Sequence, residues 1–482
     1  MSVLWSVALS SATKNCKAAV TAHQDFFHAN QEWSCNCNQD GSLTRCVDEW
    51  LQLLVSCLQY AEPELDKLLT TEMSAWKLQL LLEQMGYADQ QDDIPAYSFE
   101  DAYNDMAEVS ANALELATAV QALLQRELPC MNCDWKTEAL NKCQHILQRI
   151  DGQIKKQLSK ALVVMEQPPN IIRQGKNFNT SVRLLSCGPL LESANYMVAV
   201  RVDSFENAGK ICNSENKLEN NTAQLAAEKN NSKEFNARFS KMKITTIKER
   251  SKKNDKQYGI ENRSKTDEAE VKKILKKPFV LQYVVNGVLY GGIESIKIQT
   301  ISELFFYITH GSQKSFATAL AFWKSIPLLE AAHGDTKAYY TSSTYFDFNI
   351  DFHVSWPFFE NALCIFFTKT VGPKKGFHPD QLQNIKNKLF GQKSAPENAS
   401  FSILAEQNLL NAGRTTFWEW FYEAVLLIKT DPILNIWNNE DHLKEEIKQK
   451  EVYQRHVKEL KSGMKEKYEC IHKKKLQCDR QT

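Results

Sequence analysis

Hydrophobic positions in the first third of the chain recur at helical spacing. Between 102 and 128, Met106, Val109, Ala113, Leu116, Val120 and Leu123 alternate steps of three and four and are flanked by polar residues. That is the seam of a coiled coil. Leu140, Cys143, Leu147, Ile150, Ile154 and Leu158 make a second seam beyond a break at Pro129. Residues 44–86 carry a longer Leu-rich pattern through Trp50, Leu54, Leu58, Leu68, Trp76 and Leu80. Helices separated by short breaks predict an antiparallel helical bundle over 41–166, after a poorly defined stretch 1–40. The pattern stops at Gln167-Pro168-Pro169, where two prolines remove backbone donors and disfavour further helix.

Beyond the prolines the period falls to two. Phe178, Thr180, Val182 and Leu184 alternate with polar neighbours, and Tyr196, Val198, Val200 and Val202 do so again. These are half-buried strands. Residues 207–233 are rich in Asn, Lys and Glu with few apolar anchors, which predicts a mobile insertion. Strand patterning resumes near 279–285, 289, 296–301 and 304–308, so a β-sandwich or Greek-key barrel over 167–322 fits. After Trp323 the pattern turns helical and aromatic. Phe358, Ala362, Ile365 and Phe366 predict one face of a short helix, and Leu382, Ile385 and Leu389 predict another. Phe417, Trp418, Phe421, Val425 and Ile428 predict a third, buried all round. The helical region runs over 323–440. Residues 441–482 read as a charged helical tail, with 12 Lys/Arg against 8 Asp/Glu and sparse apolar positions at Leu443, Ile447, Val452, Val457 and Leu460. The fold class is multidomain, mixing α and β.

Charge sharpens this division. The 482 residues carry 58 basic and 58 acidic side chains, but the signs are separated. Residues 1–150 hold 9 Lys/Arg against 21 Asp/Glu, and residues 229–277 hold 16 against 7. An acidic bundle suits protein partners and a basic middle suits a polyanion. No apolar run of about 20 residues is present, which argues against a spanning helix and a membrane role. The opening MSVLWSVALSSA lacks the basic start of a signal peptide. Thirteen scattered cysteines read as reduced thiols of an intracellular protein. Cys130, Cys133, Cys143 and His145 invite a zinc reading, but Cys143 falls inside a helical seam, so no metal site is expected. No phosphate loop, nucleophile elbow or zinc-protease motif occurs, so neither enzymatic activity nor a cofactor is expected.

The letters at the bundle-to-β junction carry a resemblance. QPPNIIRQGKNFNTSVRLL (167–185) resembles the entry into the DNA-binding domain of the STAT family, the signal transducers and activators of transcription. IQTISELFFYITHGSQKSFATALAFW (298–323) is similar to the end of that domain. VSWPFFENAL (354–363), GFHPDQLQNIKNKLFG (376–391), TTFWEWF (415–421) and WNNE (437–440) resemble successive parts of the family's helical linker. The collinear match covers roughly 60–440. It implies a coiled-coil bundle, an Ig-like, p53-like DNA-binding barrel and a linker domain. The family's N-terminal oligomerisation domain and SH2 domain have no clear counterpart here, so no phosphotyrosine-binding residue is expected. Tyr453 and Tyr468 lie in the charged tail rather than in an activating segment.

Candidate contacts follow from residues and resemblance together. NARFSKMKITTIKERSKK (236–253) concentrates Lys241, Lys243, Lys248, Arg250, Lys252 and Lys253 at the exit of a strand. Such a run neutralises phosphates and releases counterions. The resemblance puts the stretch at the family's DNA surface, with Thr245 and Thr246 where other members carry charges; a solvated loop or import patch is the alternative. The resemblance also places His310, with Gln313 three residues on, where the family carries an Asn or His that reaches the major groove. Gly311 would permit a tight turn there. Ser181 and Arg183 share one face of a strand that resembles a backbone-contacting part of the domain, and Arg183 is equally readable as a structural cation. The resemblance implies a cytokine/JAK-type transcription factor of cytoplasm and nucleus that binds a TTC-spacer-GAA palindrome as a dimer, with partner proteins on the acidic bundle. The alternatives are an SH2-less regulatory or dominant-negative form, whose tail could supply a homodimer contact, and a scaffold without productive DNA binding.

Overall fold

A computed structural model describes residues 40–85, 97–125, 133–185, 196–207, 216–228, 231–247, 275–290, 294–333, 350–372, 377, 379–390, 398–409 and 415–430. The charged tail 441–482, with Tyr453 and Tyr468, lies outside them, as do Lys248, Arg250, Lys252 and Lys253. The chain divides into two compact units, one built from residues 1–311 and 331–348, the other from 312–330 and 349–482. No described helix is long and apolar enough to cross a membrane.

The first unit opens with long helices. α1 (Asp40–Lys67) passes through a π-turn at Leu68–Glu72 into α2 (Met73–Met85), and α3 (Tyr97–Gln125) and α4 (Cys133–Lys160) follow. The seam residues Met106, Val109, Ala113, Leu116, Val120 and Leu123 are all buried, as the three-four spacing requires. Direction follows from the contacts. Tyr103 donates to the carbonyl of Gln157, and the Cys143 thiol donates to that of Ala117, so α3 and α4 are antiparallel. Arg149 bonds Glu62 and Lys156 bonds Asp66, so α1 runs parallel to α4. Helices of this order form an up-down-up bundle. Glu100 and Asp134 sit in first turns and Lys160 in a last turn, each matching the helix dipole.

Helix ends at Lys160, before the proline pair. Leu162–Glu166, expected to be helical, forms β1, where Val163 and Val164 favour extended backbone. β2 (Ile171–Arg173), β3 (Asn177–Leu184) and β4 (Met197–Ser204) follow. Next come β5 (Lys217–Glu219), β6 (Thr222–Gln224), β7 (Ala226–Glu228), β8 (Asn231–Thr246), β9 (Phe279–Tyr290), β10 (Glu294–Ile301) and β11 (Phe306–Ile308). The insertion 207–233 is therefore not a featureless mobile loop, because β5, β6 and β7 fall within it. Of the two forms expected over 167–322, a sandwich or a barrel, the barrel is corrected, since no closed barrel forms among the described residues. Among the described residues the strands form a five-stranded sheet (β1-β3-β8-β5, with β7 also on β8), a four-stranded sheet (β10-β9-β4-β6) and a separate parallel pair, β11 with β2. The two larger sheets meet through their inner faces, where Phe239 and Tyr283 lie with ring centroids 5.7 Å apart. Phe178, Thr180, Val182 and Leu184 all point into that core. Residues 217–224 tie the layers, since β5 pairs with β8 in one sheet and β6 with β4 in the other.

The second unit holds an aromatic core. It contains most of α5 (Lys314–His333), then β12 (His353–Ser355), α6 (Trp356–Val371), α7 (Pro379–Phe390), β13 (Asn398–Ser400), α8 (Phe401–Ala405) and α9 (Phe417–Thr430). Phe322 stacks on Trp418 and Trp323 on Phe352. Their indole N–H groups are satisfied by the carbonyls of Ser315 and Ile350. On α6 the core face is Phe359, Leu363 and Phe367, whereas Phe358 is exposed. Of the face predicted from sequence, Ala362 is buried and Phe366 packs against Phe322 and Trp418, so only Phe358 is misplaced, because a run of neighbouring aromatics leaves the period ambiguous.

Candidate nucleic-acid interface

One end of the five-stranded sheet collects chain segments that are far apart in sequence. The turn Arg173-Gln174-Gly175-Lys176 joins β2 to β3, and the Lys176 N–H donates to the Arg173 carbonyl at 3.0 Å. Gly175 has φ 69°, the positive value that the third residue of a type II turn demands. The turn is fixed from both sides. The Gln174 N–H donates to the Ile308 carbonyl at the end of β11, and the Gly175 N–H donates to the Ile244 carbonyl near the end of β8. The Gln174 side chain donates to the Thr245 carbonyl at 3.0 Å. The Thr245 hydroxyl in turn donates to the Lys217 carbonyl. The end of β8, the start of β5, the β2–β3 turn and the end of β11 therefore meet.

This end is cationic and polar. Arg173, Lys176, Lys217, Thr309 and His310 are exposed there. Lys243 is half-buried and pairs with Glu219 at 2.6 Å. Thr246 closes β8 opposite Lys217. In sequence, Lys248, Arg250, Lys252 and Lys253 come directly after this strand end. Of the residues predicted from sequence, Lys243, Thr246 and His310 are thus brought to one place. Gly311 does not use a positive φ: it opens a single 3-10 turn, Gly311–Gln313, and a Cβ there would meet open space. Gln313, half-buried, lies where the second unit begins.

Ser181 and Arg183 occupy the opposite end of β3. Asn177 pairs with Lys243 near the site, and Arg183 pairs with Asn236 toward the bundle. Six residues of strand separate the two ends, about 20 Å. Arg183 donates through Nε to Asn236 Oδ1 at 3.1 Å and through a terminal nitrogen to Glu100 of α3 at 3.1 Å. Its charge faces a carboxylate of the bundle. Ser181 is half-buried opposite Arg238.

Lys241 sits between these regions in unusual backbone geometry. The register steps from Phe178–Met242 to Thr180–Phe239, so Ser240 and Lys241 together face the single residue Asn179. This is a β-bulge. Lys241 has φ 55°, and Asn220, in the turn between β5 and β6, has φ 54°. The Lys241 N–H donates to Asn179 Oδ1 at 3.0 Å, and the Asn220 side-chain amide donates to the Lys241 carbonyl at 2.8 Å. Lys241 itself is exposed.

Arg173, Gln174, Lys176 and Lys217 were missed as site residues by sequence reasoning. The Arg-Gln-Gly-Lys turn was readable as a tight turn flanked by cations, whereas Lys217 lay in a stretch taken for a loop. The zinc reading ends in packing for Cys143, which is fully buried against α3.

Comparisons with known proteins match two segments of the chain to domain families. The model of the STAT protein DNA-binding domain matches residues 166–272, which include Arg173, Lys176, Lys217, Lys241 and Lys243. The model of the linker domain of signal transducer and activator of transcription matches residues 344–421. A signal transducer and transcription activator of Anopheles gambiae is 24% identical over 309 residues, 61% of this chain and 37% of that protein. One of Drosophila melanogaster is 22% identical over 307 residues, 61% and 36% of the two chains. The chain thus spans little more than a third of the length of these relatives.

Proposed function

Because the chain belongs to the STAT family, we propose that it is a sequence-specific DNA-binding transcription factor acting in cytokine/JAK-type signalling. Its duplex contact is the cationic end of the five-stranded sheet. The observation that carries this reading is the convergence of Arg173, Lys176, Lys217 and Lys243 beside His310, on segments locked together by backbone and side-chain hydrogen bonds. Fixed cations of this kind set position on the phosphate backbone, and base edges are then read by a few side chains. His310 is the proposed reader, with Gln313 following it in sequence; an imidazole can donate or accept in the major groove. Thr246, Lys248, Arg250, Lys252 and Lys253 extend the phosphate contact along the chain.

A palindromic TTC-spacer-GAA duplex is the proposed target, bound by a dimer because two linked half-site contacts raise avidity. Arg183, facing Glu100, holds the bundle to the sheet instead of touching DNA. The bundle offers a second surface. A groove of about 700 Å³ between α1 and α4, floored by Val55, Trp135 and Ile146 and rimmed by Asp48, Lys142 and Arg149, suits a partner protein. Action in the nucleus after residence in the cytoplasm completes the proposal.

The test is the triple variant Arg173→Gln/Lys176→Gln/Lys217→Gln. Each lost phosphate contact should flatten the slope of log K against log salt by about 0.9, so the variant should lose about two to three units of slope. An unchanged slope would remove the interface.

A further inference from the structure

We propose that Asn179 and Asn220 are positioning residues that hold Lys241 on a β-bulge so that its ammonium meets a DNA phosphate. The proposal rests on the DNA-binding reading above and adds to it a contact on the face of the sheet, away from its end. Three observations converge on Lys241. Its φ of 55° is a conformation that glycine adopts without cost and a lysine does not. Strained positions of this kind persist where the surroundings over-determine them, and they cluster at functional sites. Here the surroundings are named: Asn179 binds the Lys241 N–H and Asn220 binds its carbonyl, one from each flanking strand region. Asn220 is itself at φ 54°, a value asparagine tolerates better than most residues.

The side chain at this bulge is exposed, and among the described residues no carboxylate pairs with it. Lys243, two residues on, differs in being held by Glu219. If the bulge served only to bend β8, glycine would serve better, so the lysine side chain is the feature being presented. Lys241 lies four residues from Thr245 along one strand, about 13 Å from the cationic end. That is well under one helical turn of duplex, about 34 Å, so one bound duplex can meet both.

The experiment compares the full chain with Lys241→Gln, Lys241→Gly, Asn179→Ala, Asn220→Gly and the double variant Asn220→Gly/Lys241→Gln. Asn220→Gly removes the amide yet keeps a residue content with positive φ. Readouts are thermal unfolding and affinity for a TTC-spacer-GAA duplex across a salt series. Lys241→Gln should flatten the salt slope by about 0.9 and weaken binding about 3- to 10-fold near 0.1 M salt. Lys241→Gly should do the same while melting at the wild-type temperature or above it. Asn179→Ala and Asn220→Gly should weaken binding, and the effect of Asn220→Gly should vanish in the Lys241→Gln background. If the wild-type chain binds with a steep slope and Lys241→Gln leaves that slope intact, this inference fails while the DNA-binding reading stands. If Asn220→Gly weakens binding equally in both backgrounds, its positioning role is overturned. If the wild-type chain shows no salt-dependent DNA binding, the DNA-binding reading fails first and takes this inference with it.

Discussion

Arg183 gives a sharp test, because a tether to the bundle and a phosphate contact make opposite predictions. Its guanidinium binds Asn236 Oδ1 and Glu100, each at 3.1 Å, and the Arg183 and Glu100 side chains are only 21% and 26% exposed. A hydrogen bond to a charged group contributes about 1.5–3 kcal/mol, and the remaining solvent access places this one near the lower end. The bond to Asn236 adds about 1 kcal/mol. Arg183→Met should therefore cost roughly 2–3 kcal/mol, which lowers the melting temperature by roughly 3–5 °C for a unit of this size. Glu100→Gln should cost about 1 kcal/mol, and a double-mutant cycle should return a coupling of about 1 kcal/mol. Thermal unfolding followed by circular dichroism supplies these values, and duplex titrations across a salt series supply the second readout. The salt slope of Arg183→Met should match wild type. A variant that melts normally but loses about 0.9 of slope would show that Arg183 contacts DNA and that the tether reading is wrong.

Other predictions bear on the turn, the bundle and the second unit. Gly175→Ala meets open space, so its cost is backbone strain at φ 69° alone; about 1–2 kcal/mol of destabilisation is expected, with thermal unfolding as the check. Burial holds the Lys77 amine down to about 8, below the ordinary lysine value of 10.5. Folding then favours the neutral amine, so the unfolded chain binds more protons between pH 8 and 10.5, and stability should rise with pH across that window. Lys77→Met should accordingly stabilise the protein below pH 8 in urea titrations, and its advantage should fade by pH 10.5. Trp418→Phe removes the hydrogen bond to Ser315 at 2.9 Å from a fully buried ring; a loss of about 2–3 kcal/mol is expected from the unmade bond and the cavity together, measured as denaturant unfolding of the full chain.

Legibility in the sequence tracked locality. The seams of α3 and α4 and the alternation Phe178, Thr180, Val182, Leu184 were readable because burial repeats with a fixed period in a single segment. Sheet closure was not, because it depends on distant partners. β2 pairs with β11 across most of the domain, and β5 and β6, separated by one short turn, belong to different sheets. The candidate site divides in the same way. Lys241 and Lys243 stood out through the density of charge around them. Arg173, Lys176 and Lys217 are single cations in short segments, and only the β2–β11 and β5–β8 pairings bring them beside His310. The partner of Arg183 lies on a helix of the bundle, 83 residues away in sequence, so its structural role had no local signature.

The most direct test of the central claim is binding of the purified chain to a TTC-spacer-GAA duplex and to a scrambled duplex, each at 50 and 200 mM salt. The account predicts selective binding to the palindrome, with a loss of affinity over that salt range of about 10³-fold or more, as six or more phosphate contacts require. Equal, weak binding to both duplexes would contradict it and would leave the bundle groove, with its floor of Val55, Trp135 and Ile146, as the surface to pursue.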